Sequence, residues 1–379
     1  ISTGTKTCSS LIINFALYCS KMRFAYRIHS TLKNKCFSSL SNGLPKHYEH
    51  HTPVMAKEVL EALSLKPCET IIDMTFGAGG HTKQILDSIP DVKVICLDRD
   101  PVAYKFAKEL SEQYPQQIIP LLGRFSELPK LLADKNIKPK SVDGIMFDFG
   151  CSSMQFDVGE RGFSISKDGP LDMRMDGSRY SDQPTAADVL ARADEEDIAK
   201  IIKVYGEEKQ YKKIARAIID ARYSFRRLEK TSELVDLVNS VCEDEVRYDK
   251  LQRFSNVATK TFQALRIFVN NELNEINYAM LLANYYLKIY GRIVTISFHS
   301  LEDTIVKRHI MGHLVGGVAN ALPLKFSDPT VIYDKFILQN MMKSPWKSLY
   351  KHVIVPTDEE VESNPRSRSA RLRGAIKVE

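Results

Sequence analysis

The segment Asp73-Met74-Thr75-Phe76-Gly77-Ala78-Gly79-Gly80-His81-Thr82 constrains the fold of this chain more than any other. An apolar run, Thr70-Ile71-Ile72, precedes it and an amphipathic stretch, Lys83-Gln84-Ile85-Leu86, follows. It therefore reads as the turn between a first parallel strand and its helix. Glycines in such a turn let backbone amides approach a ligand closely. The next apolar run, Val92-Lys93-Val94-Ile95-Cys96-Leu97, closes on Asp98. That spacing, about twenty residues, is where α/β nucleoside sites place a carboxylate on ribose hydroxyls. A ligand containing adenosine is the expectation.

What the turn lacks narrows that ligand. A dinucleotide fingerprint needs a third glycine for close helix packing beside the pyrophosphate, and Thr82 stands at that position. Carboxylates at Asp73, Asp98 and Asp148, each ending an apolar run, would repel a pyrophosphate. They suit a ligand that carries a sulfonium and an ammonium, which points to S-adenosyl-L-methionine.

From His51 onward helix and strand alternate. A helix is expected over 54–65. Strands are expected near 70–75, 92–98, 117–122 and 142–149, with helices near 81–89, 101–114 and 126–135. This is the pattern of a doubly wound, mostly parallel sheet. Residues 150–179, rich in Gly, Ser, Asp and Pro, read as a loop. Helical periodicities follow over 185–241, as in Ile198, Ile201, Ile202 and Ile214, Ala217, Ile218. Helix is expected again over 258–287, then a strand over 292–298 that rejoins the sheet. Residues 309–350 read as irregular, and Val353-Ile354-Val355 with 369–377 as closing antiparallel strands. The expected organisation is a core of 51–156 and 258–379 interrupted by a helical insertion, 157–257.

The net charge of +6 is unevenly placed. Residues 1–48 hold seven Lys or Arg and no acid, leaving 46 basic against 47 acidic residues elsewhere. An acid-free, Ser-rich, basic leader has the composition of a mitochondrial presequence, and Met22 is expected to be its start, with 1–21 an upstream artefact. The competing reading is a plain basic tail. The seven cysteines form no C-x-x-C pair, so no metal site or disulfide framework is expected and a reducing compartment fits. No apolar run reaches membrane-spanning length.

The longer motifs identify a family. His51-Thr52-Pro53-Val54, the Asp73–His81 segment, Asp98-Arg99-Asp100 and Asp148-Phe149-Gly150-Cys151-Ser152-Ser153-Met154-Gln155 stand in the order found in RsmH/MraW methyltransferases. Glu160-Arg161-Gly162-Phe163-Ser164, Asp168 to Asp176, Tyr205-Gly206-Glu207-Glu208, Thr261 to Arg266, Ser297 to Asp303 and Asn364-Pro365-Arg366 continue the series. The chain resembles that family from His51 to its C-terminus. The resemblance implies a Rossmann-like class I S-adenosylmethionine-dependent methyltransferase core with an inserted helical substrate-recognition domain. It also implies methylation of a cytidine N4 amine in ribosomal RNA. With its leader the chain is similar to the mitochondrial branch, which implies small-subunit (12S) rRNA as substrate, the matrix as compartment and assembly-factor proteins as companions, and leaves self-association open. Two other readings compete: an RNA-binding assembly factor with an idle pocket, and a methyltransferase for a protein or small metabolite. Intact Gly79, Asp98 and Asp148 argue against the first, and a basic helical insertion argues against a small metabolite.

Carried onto matching positions, the resemblance implies that Gly79, Gly80 and His81 contact the methionine part of the cofactor. It places Asp98 on the ribose and Phe125 on the adenine face, with Asp148 and Gln155 completing the pocket. A core phenylalanine and a helix-start cap are the competing readings of Phe125 and His81. Asp148 is the expected catalytic acid, either as base or by aligning the amine. His299 is a second candidate, able to bond the target base or a phosphate. Its competing reading is a helix entry with Ser300 as cap and Asp303 in the capping region. Lys209, Lys212, Lys213 and Arg216, with Lys200, Lys203, Arg222 and Arg226-Arg227, form a basic helical face for RNA phosphates. Arg366 and Arg368, with Arg371 and Arg373, form a second strip. A merely solvated face competes with both.

Overall fold

A computed structural model describes residues 52–224, 227–242, 256–312 and 344–379. The leader 1–50, Arg226, residues 243–255 of the expected insertion and most of 309–350 lie outside the described residues.

Near-continuous apolar runs, whose successive side chains point to opposite sides, build a sheet with two buried faces. Its strands are β1 (Thr70–Asp73), β2 (Lys93–Asp98), β3 (Ile118–Leu122), β4 (Val142–Asp148), β5 (Leu287–Ser297), β6 (Trp346–Ser348) and β7 (Arg371–Lys377). The order is β3-β2-β1-β4-β5-β7-β6, parallel from β3 through β5, with β7 antiparallel to both neighbours. This is the Rossmann-like arrangement expected from the sequence. Ile71, Val94, Cys96, Met146 and Val294 face α1 (Ala56–Leu63), α2 (Gly80–Ser88) and α3 (Pro101–Gln113). Ile72, Ile95, Leu97, Ile145, Phe147 and Ile293 face the other way, onto α4 (Leu128–Asp134), α11 (Glu272–Tyr286) and α12 (Ser300–Met311).

A separate apolar cluster serves the remaining helices. After the short α5 (Ser153–Asp157), α6 (Ala186–Arg192), α7 (Glu195–Gly206), α8 (Tyr211–Tyr223) and α9 (Thr231–Val241) pack around Leu190, Ile198, Ile202, Ile214, Ile218, Leu234 and Val238. Phe262 and Leu265 of α10 (Thr259–Asn270) belong to the same cluster. Gly206 lies so close to α10 that a Cβ there would sit 2.5 Å from the Lys260 carbonyl oxygen.

Four local expectations are corrected. The helix expected over 258–287 is two, because Asn271 adopts a left-handed φ of 52° and turns the chain from the helical layer onto the sheet; a short polar side chain tolerates that conformation. Strand β5 begins five residues early: Leu287 pairs with Val142, residues 288–291 bulge, and the register resumes at Arg292 opposite Gly144. Residues 353–355 contribute a single bridge, Ile354 to Leu372, and α13 (Asp358–Ser363) follows. The edge strand instead comes from β6, inside the stretch read as irregular, where the single tryptophan, Trp346, is buried against the core.

Candidate active site

The turn after β1 is held from below by an acid that never reaches the cavity. Asp73 is fully buried; its Oδ2 accepts from Thr82 Oγ1 at 2.7 Å and its Oδ1 from the Thr75 N–H at 3.1 Å. Burial raises its pKa despite these bonds. Gly77 and Gly79 have φ of 56° and 80°, a region side chains rarely occupy, and a Cβ on Gly79 would lie 2.7 Å from the Phe76 ring. The Gly77 N–H donates to Asp98 Oδ2 at 2.8 Å, and the Asp100 N–H to Asp98 Oδ1 at 2.9 Å. Burial, and secondarily the charge of Asp100, push Asp98 up to about 7.

Strand β4 delivers the second cavity acid. The Asp148 backbone N–H donates to Thr75 Oγ1 at 2.6 Å, tying strand end to turn. Its side chain is about a quarter exposed, with Oδ2 3.6 Å from His81 Nε2 and Oδ1 sealed without a hydrogen-bond partner. Between these elements lies a cavity of ≈ 570 Å³, at the carboxyl ends of the parallel strands, where open α/β sheets gather their ligands. Phe125 lines it, set edge-on to Phe147 at 5.7 Å and Phe149 at 6.4 Å. Cys151 also lines it, and burial pushes its thiol up to about 12.

Residues 48–378 match the MraW methylase family. The chain belongs to this methylase family. Among its relatives, a protein of Culex quinquefasciatus named putative receptor-type tyrosine-protein phosphatase mosPTP-1 is 61% identical over 87% of this chain. The chain spans only 22% of that protein's length. A probable methyltransferase-like protein 15 homolog of Drosophila melanogaster is 56% identical, covering 86% of this chain and 92% of the relative. The 12S rRNA N(4)-cytidine methyltransferase METTL15 of Mus musculus is 47% identical, covering 91% and 86%.

In this MraW-family chain the structure gathers Gly80, His81, Asp98, Phe125, Asp148 and Gln155 around the cavity, with Arg366 at its edge. Gly79 stands outside it and shapes the turn. The Gln155 amide is already engaged: Nε2 donates to Asp100 Oδ2 at 2.9 Å and Oε1 accepts from the Ser152 N–H at 3.1 Å. His299 also stands outside, although its neighbour Phe298 lines the wall. The helix cap is His299 rather than Ser300, and Glu302 Oε2 accepts from the N–H groups of Phe298 and His299 at 2.8 and 3.3 Å. Asp303 instead binds Arg373, at 2.6 and 3.0 Å, and lies 3.6 Å from Arg371, so two arginines of the expected tail strip are committed to structure. Arg222 likewise donates to the carbonyls of Leu190 and Ala193. Lys209, Lys212, Lys213, Arg216 and Arg368 are exposed and away from the cavity. Arg216 is paired with Glu195 at 3.0 Å and Asp220 at 3.3 Å.

Sequence reasoning missed the hub that joins the two layers. Asp176, wholly buried, binds Arg99 and Arg124 and lies 3.4 Å from Arg179. These charges hold its carboxyl below the usual range against the opposing pull of burial. Asn270 reinforces the joint, accepting from the Met175 N–H at 2.8 Å and donating to the Met173 carbonyl at 2.7 Å. Arg266, in the cavity wall, is clamped in bidentate fashion by Glu272 at 2.8 and 2.9 Å. The available signal was the dense charge of Asp172-Met173-Arg174-Met175-Asp176, yet nothing local pairs Asp176 with an arginine 77 positions away.

Proposed function

We propose that this chain uses S-adenosyl-L-methionine to methylate the N4 amine of a cytidine in mitochondrial small-subunit (12S) rRNA. The carrying observation is the Asp148 carboxylate, presented at the strand end with acceptor capacity that the fold leaves unused, beside a glycine turn and Asp98. The name of the mouse relative supports the substrate.

The cavity residues fit the cofactor. Backbone amides of the Gly77–Gly80 turn suit its carboxylate. Asp98, already oriented by two N–H donors, has lone pairs left for vicinal hydroxyls. The Phe125 ring, supported edge-on by two phenylalanines, covers an adenine face. Gln155 acts through Asp100 and Ser152, holding the loop after β4 in place. The cofactor supplies a methyl group bonded to a positive sulfur, with the bonding pair retained by sulfur on transfer.

The remaining work falls to Asp148. A cytosine amine has its lone pair delocalised into the ring, so a carboxylate that accepts one N–H bond orients the amine and stabilises positive charge developing on it. Replacing N–H by N–CH3 releases one proton, and Asp148 is the acceptor at hand. The target base must stand outside a duplex to enter.

Substrate recognition is assigned to the expected insertion, 157–257, through Lys209, Lys212 and Lys213, and to Arg366 at the cavity edge with Arg368 near it in sequence. Arg366 is paired with Asp157 at 3.0 Å, so phosphate contact there requires that pair to open. The acid-free leader assigns the chain to the mitochondrial matrix, with a small-subunit precursor as the working partner. Nucleoside mass mapping of mitochondrial rRNA with and without the chain tests the reading: N4-methylcytidine in 12S rRNA should vanish in its absence. Unchanged N4-methylcytidine would overturn it.

A further inference from the structure

Two neighbouring groups in the cavity wall carry polar atoms that the fold leaves without partners. His81 is 7% exposed, and neither ring nitrogen is hydrogen-bonded or reached by solvent. Asp148 Oδ1 is in the same state, and Asp148 Oδ2 lies 3.6 Å from His81 Nε2. Native structures rarely leave buried nitrogens and carboxylate oxygens unpaired, because removing them from water without a partner is costly. Neither ring nitrogen is bonded to Asp73, whose oxygens accept from Thr82 and Thr75, or to Asp98, whose oxygens accept from Gly77 and Asp100. A shift of well under 1 Å brings Nε2 within hydrogen-bond range of Oδ2.

We propose that His81 is a positioning residue for Asp148: its Nε2–H closes onto Oδ2 when the cavity is filled and fixes the rotation of the carboxylate. The proposal rests on the reading of Asp148 as the group that meets the amine. It departs from the cofactor contact that the family resemblance implies for His81. The physical logic is that a carboxylate bonded only by weakly directed contacts samples several rotations about its Cβ–Cγ bond. One N–H donor at Oδ2 selects one of them and leaves the remaining lone pairs of the carboxylate for the amine. His81 sits in the first turn of α2, whose turn and strand are tied to β4 by the Thr75–Asp148 bond, so donor and acceptor are carried by mutually braced elements. That bracing is what a positioning contact requires.

The test has a spectroscopic and a kinetic arm. In the full chain with histidine imidazoles labelled by nitrogen-15 and saturated with S-adenosylmethionine, the expected signature is one slowly exchanging Nε2–H resonance, lost in His81→Gln and in Asp148→Ala. A spectrum that Asp148→Ala leaves unchanged overturns the contact. In single turnovers on a 12S rRNA fragment, His81→Ala should slow methyl transfer roughly 10- to 100-fold, the scale on which misplacement of a catalytic group acts. Cofactor affinity should hold within roughly threefold while the rate falls, so that kcat drops without a matching loss of binding. His81→Gln, which keeps an N–H at similar reach, should recover most of the rate. In an Asp148→Ala background, His81→Ala should add less than about twofold, because the residues act as a unit. A parallel loss of cofactor affinity would make His81 a cofactor contact, and multiplicative effects would make it independent of Asp148; either overturns the proposal. A wild-type chain that labels no cytidine N4 would sink the rRNA reading alone, since the nitrogen-15 arm decides the His81 contact without RNA.

Discussion

Two settings of acidic side chains lie close to the carboxyl ends of the strands, one reached through Arg99 and Arg124 just after β2 and β3, the other at Asp98 and Asp148 themselves, and they do opposite work. Around Asp176, guanidinium groups of Arg99 and Arg124 saturate a carboxylate with no exposure, and Arg179 stands close behind. Around the cavity, Asp98 is held only by backbone N–H groups, and Asp148 has an oxygen with no partner. The residue type is identical, and the difference is in what the fold supplies as counter-charge. A buried carboxylate met by arginines is spent on joining the helical layer to the sheet. One met by amides alone keeps lone pairs and a shifted titration for a ligand.

The sharpest way to break this contrast is to neutralise one member of each cluster. Asp148→Asn keeps the size and one carbonyl acceptor but removes the charge. Single-turnover transfer to an rRNA fragment should fall by roughly two to four orders of magnitude while cofactor affinity and melting temperature stay near wild type. Near-normal transfer would place Asp148 among the structural acids. Asp176→Asn should show the reverse: a loss of about 3 kcal/mol in urea-unfolding free energy, the lower end for a buried pair missing one partner, because its arginines retain some contact with water. A loss below about 0.5 kcal/mol would mean that Asn270 and the apolar cluster suffice to hold the joint.

The same contrast explains what could be read in the chain beforehand. The parallel sheet was legible because apolar runs, turn glycines and strand-end acids are local patterns, and Asp98, Asp148 and Gly80, which line the cavity, lie on those patterns. Asp73 carries the same pattern yet is sealed by Thr82, nine positions on; local sequence does not distinguish an acid that faces a cavity from one that supports its floor. Asp176 was missed for the complementary reason, its partners being distant in sequence. Arg222, Arg371 and Arg373 looked like a surface for phosphates until helix ends and Asp303 claimed them. Asn271 broke a helix because a single left-handed residue leaves the 3.6-residue periodicity on either side intact.

A smaller effect is expected at Asp98. Asp98→Ala should weaken cofactor binding by about 1 to 3 kcal/mol, the cost of losing a charged acceptor for hydroxyl groups. Because the unliganded carboxyl is pushed up to about 7, binding that requires its ionised form should release a proton and weaken as pH falls below 7. For folding the sign is opposite. The folded group binds its proton more tightly than the unfolded one at 3.8, so its contribution is most favourable below that value and declines as pH rises toward 7. Calorimetry at pH 6 and pH 8 in buffers of different ionisation heat reads the proton directly. An affinity independent of pH would show that Asp98 remains hydrogen-bonded in its neutral form.

The smallest effects extend the comparison to the surface, where saturation by an ion pair counts for less. Lys209, Lys212 and Lys213 are exposed, whereas Arg216 on the same helix as the last two is paired with Glu195 and Asp220. A lysine that neutralises one phosphate of single-stranded RNA contributes about 0.7 to the slope of log affinity against log salt. Each Lys→Ala change should lower the slope by about that amount, nearly alike for any RNA sequence, since phosphate contacts carry no base information. Arg216→Ala should lower it less than any one lysine, because reaching a phosphate first requires giving up two carboxylates. Exposed pairs are weak, so the difference will be modest. Fluorescence anisotropy of a labelled 12S fragment across a salt series resolves it. Equal slopes for Arg216 and the lysines would confine the rule to the interior: counter-charge would decide a group's role only where water cannot screen it.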